Sequence, residues 1–312
     1  MNKKIKRGAL SWGFPVALFI FAGNMLTVGK GNFIELLLAG TVGALALPVS
    51  AVAADALFEK EHGKGLNKVI FAIFALVSAV AAIYVASLTV KDFSDFVGDV
   101  MLLKLPTWAV GIIFTALCSY LAARGCKTLK KFSFLAIVAV AISAIVLFTL
   151  AFESFEINRV YDVIRSARDI SIDGVINTFS TVFAPAVIAV IYISATGRGE
   201  GRSKASLFGA IIALLLLALC FMNVFLLLGE SFGGSEDYPY STAVSTVTAG
   251  KLFARMEGFA YMMYYAGGAV RVSLCVALIS LLSEKITGKK WRFLPYASGV
   301  GIFLVTIILS LS

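Results

Sequence analysis

The chain has 312 residues, of which 60% are hydrophobic and 14% are charged, and its mean hydropathy is +0.93. This composition excludes a water-soluble protein and predicts a polytopic membrane protein. The formal net charge of +9 would suit a nucleic-acid partner if the basic residues formed one patch. They are instead dispersed over the segments between apolar runs, so no nucleic-acid partner is predicted.

Few residues are available for enzymatic or metal chemistry. The cysteines Cys118, Cys126, Cys220 and Cys275 have no metal-ligand spacing and lie in or beside apolar runs, which predicts reduced thiols. The one histidine, His62, lies in a charged loop. Neither a zinc site nor a Ser-His-Asp hydrolase can be assembled from this set. We therefore predict no enzymatic activity, no metal site and no cofactor.

Nine segments reach the length of about 20 apolar residues that a helix needs to cross a bilayer. In chain order they are Gly8–Gly29, Phe33–Leu57, Asn67–Val90, Thr107–Ala123, Phe132–Phe152, Val175–Ala195, Ala205–Leu228, Gly258–Ser283 and Phe293–Ser312. Helices are favoured over strands because these runs lack the alternating pattern of a barrel. The sequence predicts an all-α integral membrane protein with about nine transmembrane helices, in one domain over residues 1–312.

Lysine and arginine residues fall mainly on one side of these segments. Eighteen of the 27 lie in alternate connecting segments, beginning with the stretch before the first span, and eight lie on the opposite side. The remaining residue, Arg271, lies inside the eighth span. Because cytoplasmic loops carry the excess of Lys and Arg, this bias predicts a cytoplasmic amino terminus.

The first and sixth segments contain residues that interrupt helices. The first holds Ala22-Gly23-Asn24, and the sixth holds the stretch from Ser180 to Pro185, whose proline removes one backbone donor. Segments that are five apart cross the membrane in opposite directions, as in inverted repeats, where paired broken helices mark the binding site. Pro48 and Pro295 also fall in spans, so ordinary helix irregularity is the alternative interpretation.

The stretch Lys91–Pro106 separates apolar from acidic side chains. The two sides are Phe93, Phe96, Val97 and Val100 and, opposite them, Asp92, Asp95 and Asp99. This pattern predicts an amphipathic helix on the membrane surface, outside the spans. None of the 18 acidic residues then falls in the middle of a span, which argues against proton-driven transport.

Arg271 lies about halfway along the eighth segment. An arginine there costs from about 3 to more than 10 kcal/mol, so it is expected to face the protein interior. Helical spacing places Tyr264 and Gly268 on the same face. The guanidinium could clamp a substrate carboxylate through two hydrogen bonds. It could equally bond to carbonyls freed in a broken neighbouring helix and be structural.

Three groups of residues carry a family resemblance that extends over nearly the whole chain. They are Ala22–Thr27 with Leu38–Gly43, Asp92–Phe96 with Leu105–Trp108, and Tyr238-Pro239 with Ala249–Glu257 and Val270–Leu274. In this order and spacing they resemble the spore germination receptor B-subunit family, a branch of the amino acid/polyamine/organocation permease superfamily. The resemblance implies a LeuT-like fold of five-plus-five inverted repeats, here about residues 8–152 and 175–312, lacking a tenth helix.

The resemblance also implies a small amino-acid site between the first, third, sixth and eighth helices, with unwound stretches at residues 22–24 and 182–184. Tyr84, on the third segment, is a candidate wall or gate. The predicted ligand-binding residues are Ala22, Gly23, Asn24, Tyr84, Val182, Phe183, Ala184, Tyr264, Gly268 and Arg271.

The implied function is that of a permease-like subunit that senses an amino-acid germinant in the inner membrane of a dormant spore. Its implied partners are an A subunit and a lipoprotein C subunit. The alternative is a stand-alone amino-acid secondary transporter of the same superfamily in the cell membrane, coupled to Na⁺ through carbonyls and hydroxyls such as that of Ser273.

Overall fold

The computed structural model describes residues 11–25, 28–30, 32–59, 66–101, 105–155, 159, 161, 170–196, 201–229, 235–247, 257–289 and 291–311. Residues 8–10 of the first predicted segment, residues 26–27 of the first family motif and residues 249–256 of the last lie outside these ranges. Within them the chain is helical and contains no strand.

The α-helices with described bounds follow the predicted segments closely. They are α1 Gly13–Ala22, α2 Phe33–Glu59, α3 Leu66–Phe96, α4 Thr107–Ala123, α5 Cys126–Ala151, α6 Ile172–Thr178, α7 Val187–Thr196, α8 Arg202–Leu228, α9 Pro239–Thr246, α10 Glu257–Thr287 and α11 Leu294–Leu311. The sixth predicted segment corresponds to α6 and α7 together, and the eighth to α10.

Seven of the nine predicted segments coincide with helical stretches that are long and apolar enough to cross a membrane. Among the described residues these are Phe33–Glu59, Leu66–Met101, Cys126–Ser154, Ile172–Thr196, Arg202–Leu228, Glu257–Thr287 and Leu294–Leu311. The other two predicted segments contain the shorter apolar helices α1 and α4. The all-α membrane architecture is confirmed, and the division into two repeats stays a prediction.

Helix α10 forms the centre of the bundle. In its most apolar stretch 78% of the residues are buried, against 22% in α11, and it packs on α1, α3, α4, α5 and α7. Small residues allow these close approaches because their short side chains leave room for two helix backbones to come together. A Cβ atom added at Gly267 would lie 3.0 Å from the Cβ of Ala22, so α10 meets the end of α1 in direct contact.

Helices α3 and α10 run antiparallel along their shared face. The ring centroids of Phe93 and Tyr265 are 6.0 Å apart, and those of Phe96 and Tyr261 are 5.5 Å apart. Along this face, higher residue numbers of α3 therefore lie beside lower residue numbers of α10. This register fixes which residues of the two helices lie at the same depth in the bundle.

The predicted surface helix over residues 91–106 is wrong. Helix α3 continues unbroken to Phe96, and a π-helical turn, Val97–Met101, extends it further. The Phe96 side chain is fully buried, because the apolar side of this stretch packs on the aromatic residues of α10 rather than on the membrane surface. Asp92 thereby becomes part of a candidate membrane span.

Both predicted interruptions are present. Helix α1 ends at Ala22 and is followed by turns. Between α6 and α7 the chain forms a π-helical turn, Phe179–Phe183, and a 3₁₀ turn, Ala184–Ala186. Such changes of helical pitch are expected beside Pro185, which has no backbone N–H to give.

Candidate ligand-binding site

A cavity of about 390 Å³ lies where the interrupted segments meet α3 and α10. Ala22 and Gly23 from the end of α1 form one part of its lining, and one face of α3 from Tyr84 to Phe93 forms another. Most of the remaining polar lining comes from α10 and the α6–α7 interruption. The polar lining residues are Tyr84, Thr89, Asp92, Ser180, Thr181, Tyr264 and Arg271.

Six of the ten predicted ligand-binding residues line this cavity. They are Ala22, Gly23, Tyr84, Tyr264, Gly268 and Arg271. Asn24 and Val182 instead line a second cavity of about 240 Å³. Phe183 is buried with its ring where a Cβ of Gly43 would lie, so it packs on α2. Ala184 is exposed and lines neither cavity.

In the sixth segment the residues that face the cavity differ from those predicted. Ser180, Thr181 and Pro185 face the main cavity, in place of residues 182–184. A π-helical turn is closed by i→i+5 hydrogen bonds, one residue wider than in an α-helix, and it therefore rotates side chains away from the positions that α-helical spacing predicts. Thr181 lines both cavities, so the two are neighbours at this turn.

The Arg271 side chain is buried, with 7% of its surface exposed. Its guanidinium lies against Gly23, where an added Cβ atom would overlap Nη1 and lie 2.5 Å from Cζ. Its Cζ atom also lies 5.1 Å from the ring centroid of Phe19, a cation–π contact. Only glycine at position 23 leaves room for this arrangement.

Among the described residues, the buried Nε atom of Arg271 has no hydrogen-bond partner. The rest of its guanidinium forms no hydrogen bond with these residues either. Buried donors almost always have a partner, because an unsatisfied one costs about 1–3 kcal/mol and more when charged. This guanidinium is therefore available to a ligand acceptor in the cavity.

Hydrogen bonds hold the turn at the end of α1 in place. The Asn24 side-chain amide donates to the Ile20 carbonyl oxygen at 2.8 Å. The Tyr264 hydroxyl of α10 donates to the Met25 carbonyl oxygen at 3.3 Å. Because these bonds satisfy carbonyls that the helix no longer uses, the end of α1 is a defined wall of the cavity.

Asp92 is the acidic residue of the cavity lining, and it was not among the predicted ligand-binding residues. The prediction of a surface helix placed it outside the spans, whereas it lies within a candidate span and lines the same cavity as Arg271. Asp92 lies toward the end of the candidate span Leu66–Met101 rather than in its middle, yet it lines the cavity. The available signal was the spacing of Tyr84, Leu88 and Asp92 at intervals of four, which places all three on one face of a continuous helix.

The structure gives Ser273 a packing role. Its hydroxyl donates to the Cys118 carbonyl oxygen at 3.1 Å, is fully buried, and lies outside the cavity lining. Within the described ranges, no group of three or more His, Cys, Asp or Glu side chains is placed to hold a metal ion. The four cysteines are free thiols.

Two kinds of comparison relate the chain to known proteins. Residues 21–311 match the model of the spore germination protein family. MHP1, a nucleobase-cation-symport-1 family transporter solved in a closed conformation with bromovinylhydantoin bound, superposes with a TM-score of 0.62 at 12% identity, covering 97% of this chain and 71% of that one. A mutant of the Eremococcus coleocola manganese transporter superposes with a TM-score of 0.63 at 14% identity. The superposition covers 100% of this chain and 72% of the transporter. No curated protein matches the chain.

At these identities the solved structures show the fold alone, and that fold is the LeuT-like one expected from the sequence. The family match spans almost the entire chain and includes both interruptions and the central arginine. The chain therefore belongs to the spore germination protein family and is an integral, multi-pass membrane protein of the permease type rather than an enzyme.

Proposed function

We propose that this chain is the permease-like subunit of a spore germinant receptor and binds a small amino acid in the main cavity. The ligand carboxylate would meet the Arg271 guanidinium beside Gly23. The observation that carries the proposal is the buried guanidinium, which faces a cavity of about 390 Å³ and has no acceptor on Nε.

A carboxylate suits this position better than other acceptors do. The planar guanidinium offers parallel N–H donors that match the two oxygens of a carboxylate. The structural alternative has Arg271 donating hydrogen bonds to carbonyls freed at the end of α1. Among the described residues Arg271 forms no such hydrogen bond. The carboxyl end of α1 still favours the positive charge through the helix dipole, which makes its burial tolerable.

The proposed setting is the inner membrane of the spore, with the amino terminus in the cytoplasm. The Lys and Arg distribution supports this orientation, and membership of the spore germination protein family supports the setting. The proposed partners are an A-type subunit and a lipoprotein C-type subunit. Ligand binding would favour one arrangement of the bundle, and the partners would respond to that population shift.

Binding of radiolabelled L-amino acids to the purified chain in nanodiscs tests the proposal. The wild-type chain is expected to bind at least one small amino acid. Arg271→Lys keeps the charge and should weaken binding, because it loses the two-pronged contact, and Arg271→Met should abolish it. Spores that carry the Met variant should lose their response to that amino acid. Binding by the Met variant at wild-type affinity would contradict the proposal.

The second candidate is a stand-alone secondary transporter for amino acids. The fold shared with solved transporters favours it. Proteoliposomes that contain only this chain distinguish the two functions. Uptake of the labelled amino acid, with or without an ion gradient, would identify a transporter. Binding without flux would identify a receptor subunit.

A further inference from the structure

We infer that Asp92 is the second half of the same site and binds the ammonium group of the amino acid whose carboxylate meets Arg271. This inference rests on the proposed function and adds a recognition residue to it. It makes the cavity selective for zwitterions, which carry both charges, over ligands that carry only one.

The antiparallel register of α3 and α10 places the two charges at similar depth in the bundle. Phe93, next to Asp92, packs on Tyr265 of α10. Arg271 lies six residues further along α10, which corresponds to about 9 Å of helix rise. Side chains on a helix tilt toward its amino-terminal end, so the long Arg271 side chain reaches back toward the level of Asp92. The space that is left suits a small group carrying both charges.

Asp92 and Arg271 face one cavity without pairing directly. No nitrogen of Arg271 lies within 4.0 Å of the Asp92 carboxylate, yet the two charges are near enough to act on each other. Within the described part of the chain, no donor lies within hydrogen-bonding distance of that carboxylate. Both groups therefore line the main cavity with hydrogen-bonding capacity that the described residues leave unsatisfied.

The neighbouring charges on α3 and its extension are directed elsewhere. The Lys91 ammonium donates to the Leu309 carbonyl oxygen of α11 at 2.8 Å. Asp99 accepts a hydrogen bond from the Tyr238 hydroxyl at 3.2 Å. Asp95 lies outside the cavity lining. Asp92 is thus the acidic side chain of this stretch that a ligand in the cavity meets.

This pair of charges predicts a pattern of ligand preference. An N-acetylated amino acid keeps its carboxylate for Arg271 but brings a neutral amide to Asp92 and leaves that carboxylate without a cation. An amino-acid amide keeps its ammonium but leaves Arg271 without an anion. Since a charged hydrogen bond contributes about 1.5–3 kcal/mol, each of these analogues should bind about 10- to 150-fold more weakly than the free amino acid.

Competition binding on the full chain in nanodiscs tests the inference. The probe is the L-amino acid that binds tightest among a labelled panel, and its N-acetyl form and its amide are the competitors. Asp92→Asn should weaken binding of the free amino acid by about 10- to 150-fold while leaving the N-acetyl form nearly unaffected, so that most of the preference between them disappears. Asp95→Asn, on the same helix but outside the cavity, should retain it.

Each outcome separates the inference from the function on which it rests. If the wild-type chain binds no amino acid, the proposed function itself is wrong. If the wild-type chain binds the N-acetyl form as tightly as the free amino acid, the Asp92 role is overturned without any variant. If Asp92→Asn weakens both ligands equally, Asp92 only balances Arg271 and the inference fails. Asp92→Glu, which keeps the carboxylate, should preserve the preference and serves if the Asn variant does not fold.

Discussion

The space at Gly23 offers the sharpest test of the site, because one added methyl group would displace the central cation. In Gly23→Ala the new Cβ would overlap Arg271 Nη1 and lie 2.5 Å from Cζ. Ordinary contact begins at 3.4 Å, so Cζ must retreat by about 1 Å and Nη1 by more. The guanidinium cannot make this movement and still meet a carboxylate beside α1.

The expected effect on affinity is larger than the effect on stability. Loss of charge-assisted hydrogen bonds to the ligand carboxylate removes about 1.5–3 kcal/mol, which weakens binding about 10- to 150-fold. The free energy of unfolding should fall by about 0.5–2 kcal/mol, because the guanidinium leaves its position over the Phe19 ring. A bulkier change, Gly23→Leu, should abolish the response to amino acids while the protein still inserts in the membrane.

Amino-acid binding in nanodiscs and thermal unfolding in the same preparation measure these two effects. Gly258→Ala is the matched control, since a Cβ there meets no atom of the described residues within 4 Å. It should leave binding unchanged and raise the free energy of unfolding by about 0.5–1 kcal/mol through helix propensity. Wild-type affinity and stability in Gly23→Ala would refute the reasoning, because Arg271 would then not occupy the space beside Gly23.

Two matched pairs test the packing that holds the site. Gly299→Ala on α11 would press a Cβ into the Ser119 hydroxyl of α4 and should cost about 1–3 kcal/mol of unfolding free energy. At Gly301 an added Cβ meets no described atom within 4 Å, so Gly301→Ala should not destabilise the chain. Equal unfolding temperatures for the two variants would contradict this packing. Ser143→Ala removes a buried hydroxyl that has no partner among the described residues and should be neutral or stabilising. Ser273→Ala removes a hydroxyl that donates to a carbonyl of α4 and should lower the free energy of unfolding in detergent by about 1 kcal/mol. A larger loss for Ser143→Ala than for Ser273→Ala would contradict this hydrogen bond.

Much of the site followed from the sequence wherever the signal was local. A glycine followed by asparagine in an apolar run, and a proline inside another, correctly placed both interruptions. The cost of burying a charge correctly directed Arg271 into the bundle. Helical spacing then placed Tyr264 and Gly268 beside it on the cavity. Each of these inferences uses residues within one helix.

The prediction failed where the outcome depended on a neighbouring helix. Phe93 and Phe96 match a surface helix and a buried one equally well, because amphipathic spacing does not say what covers the apolar side. Contact with the aromatic residues of α10 decided the question and carried Asp92 into the cavity. The π-helical turn was likewise missed, so the contacts expected from residues 182–184 belong to Ser180, Thr181 and Pro185.

Composition and hydropathy by themselves determined that this is an all-helical membrane protein, because the length of an apolar run and the cost of a buried charge are properties of the chain alone. Only the tertiary structure decided which polar groups share one cavity. Asp92 and Arg271 are far apart in sequence, and their meeting depends on the antiparallel register of α3 and α10. That register is fixed by packing between helices, which the pattern of either helix does not contain.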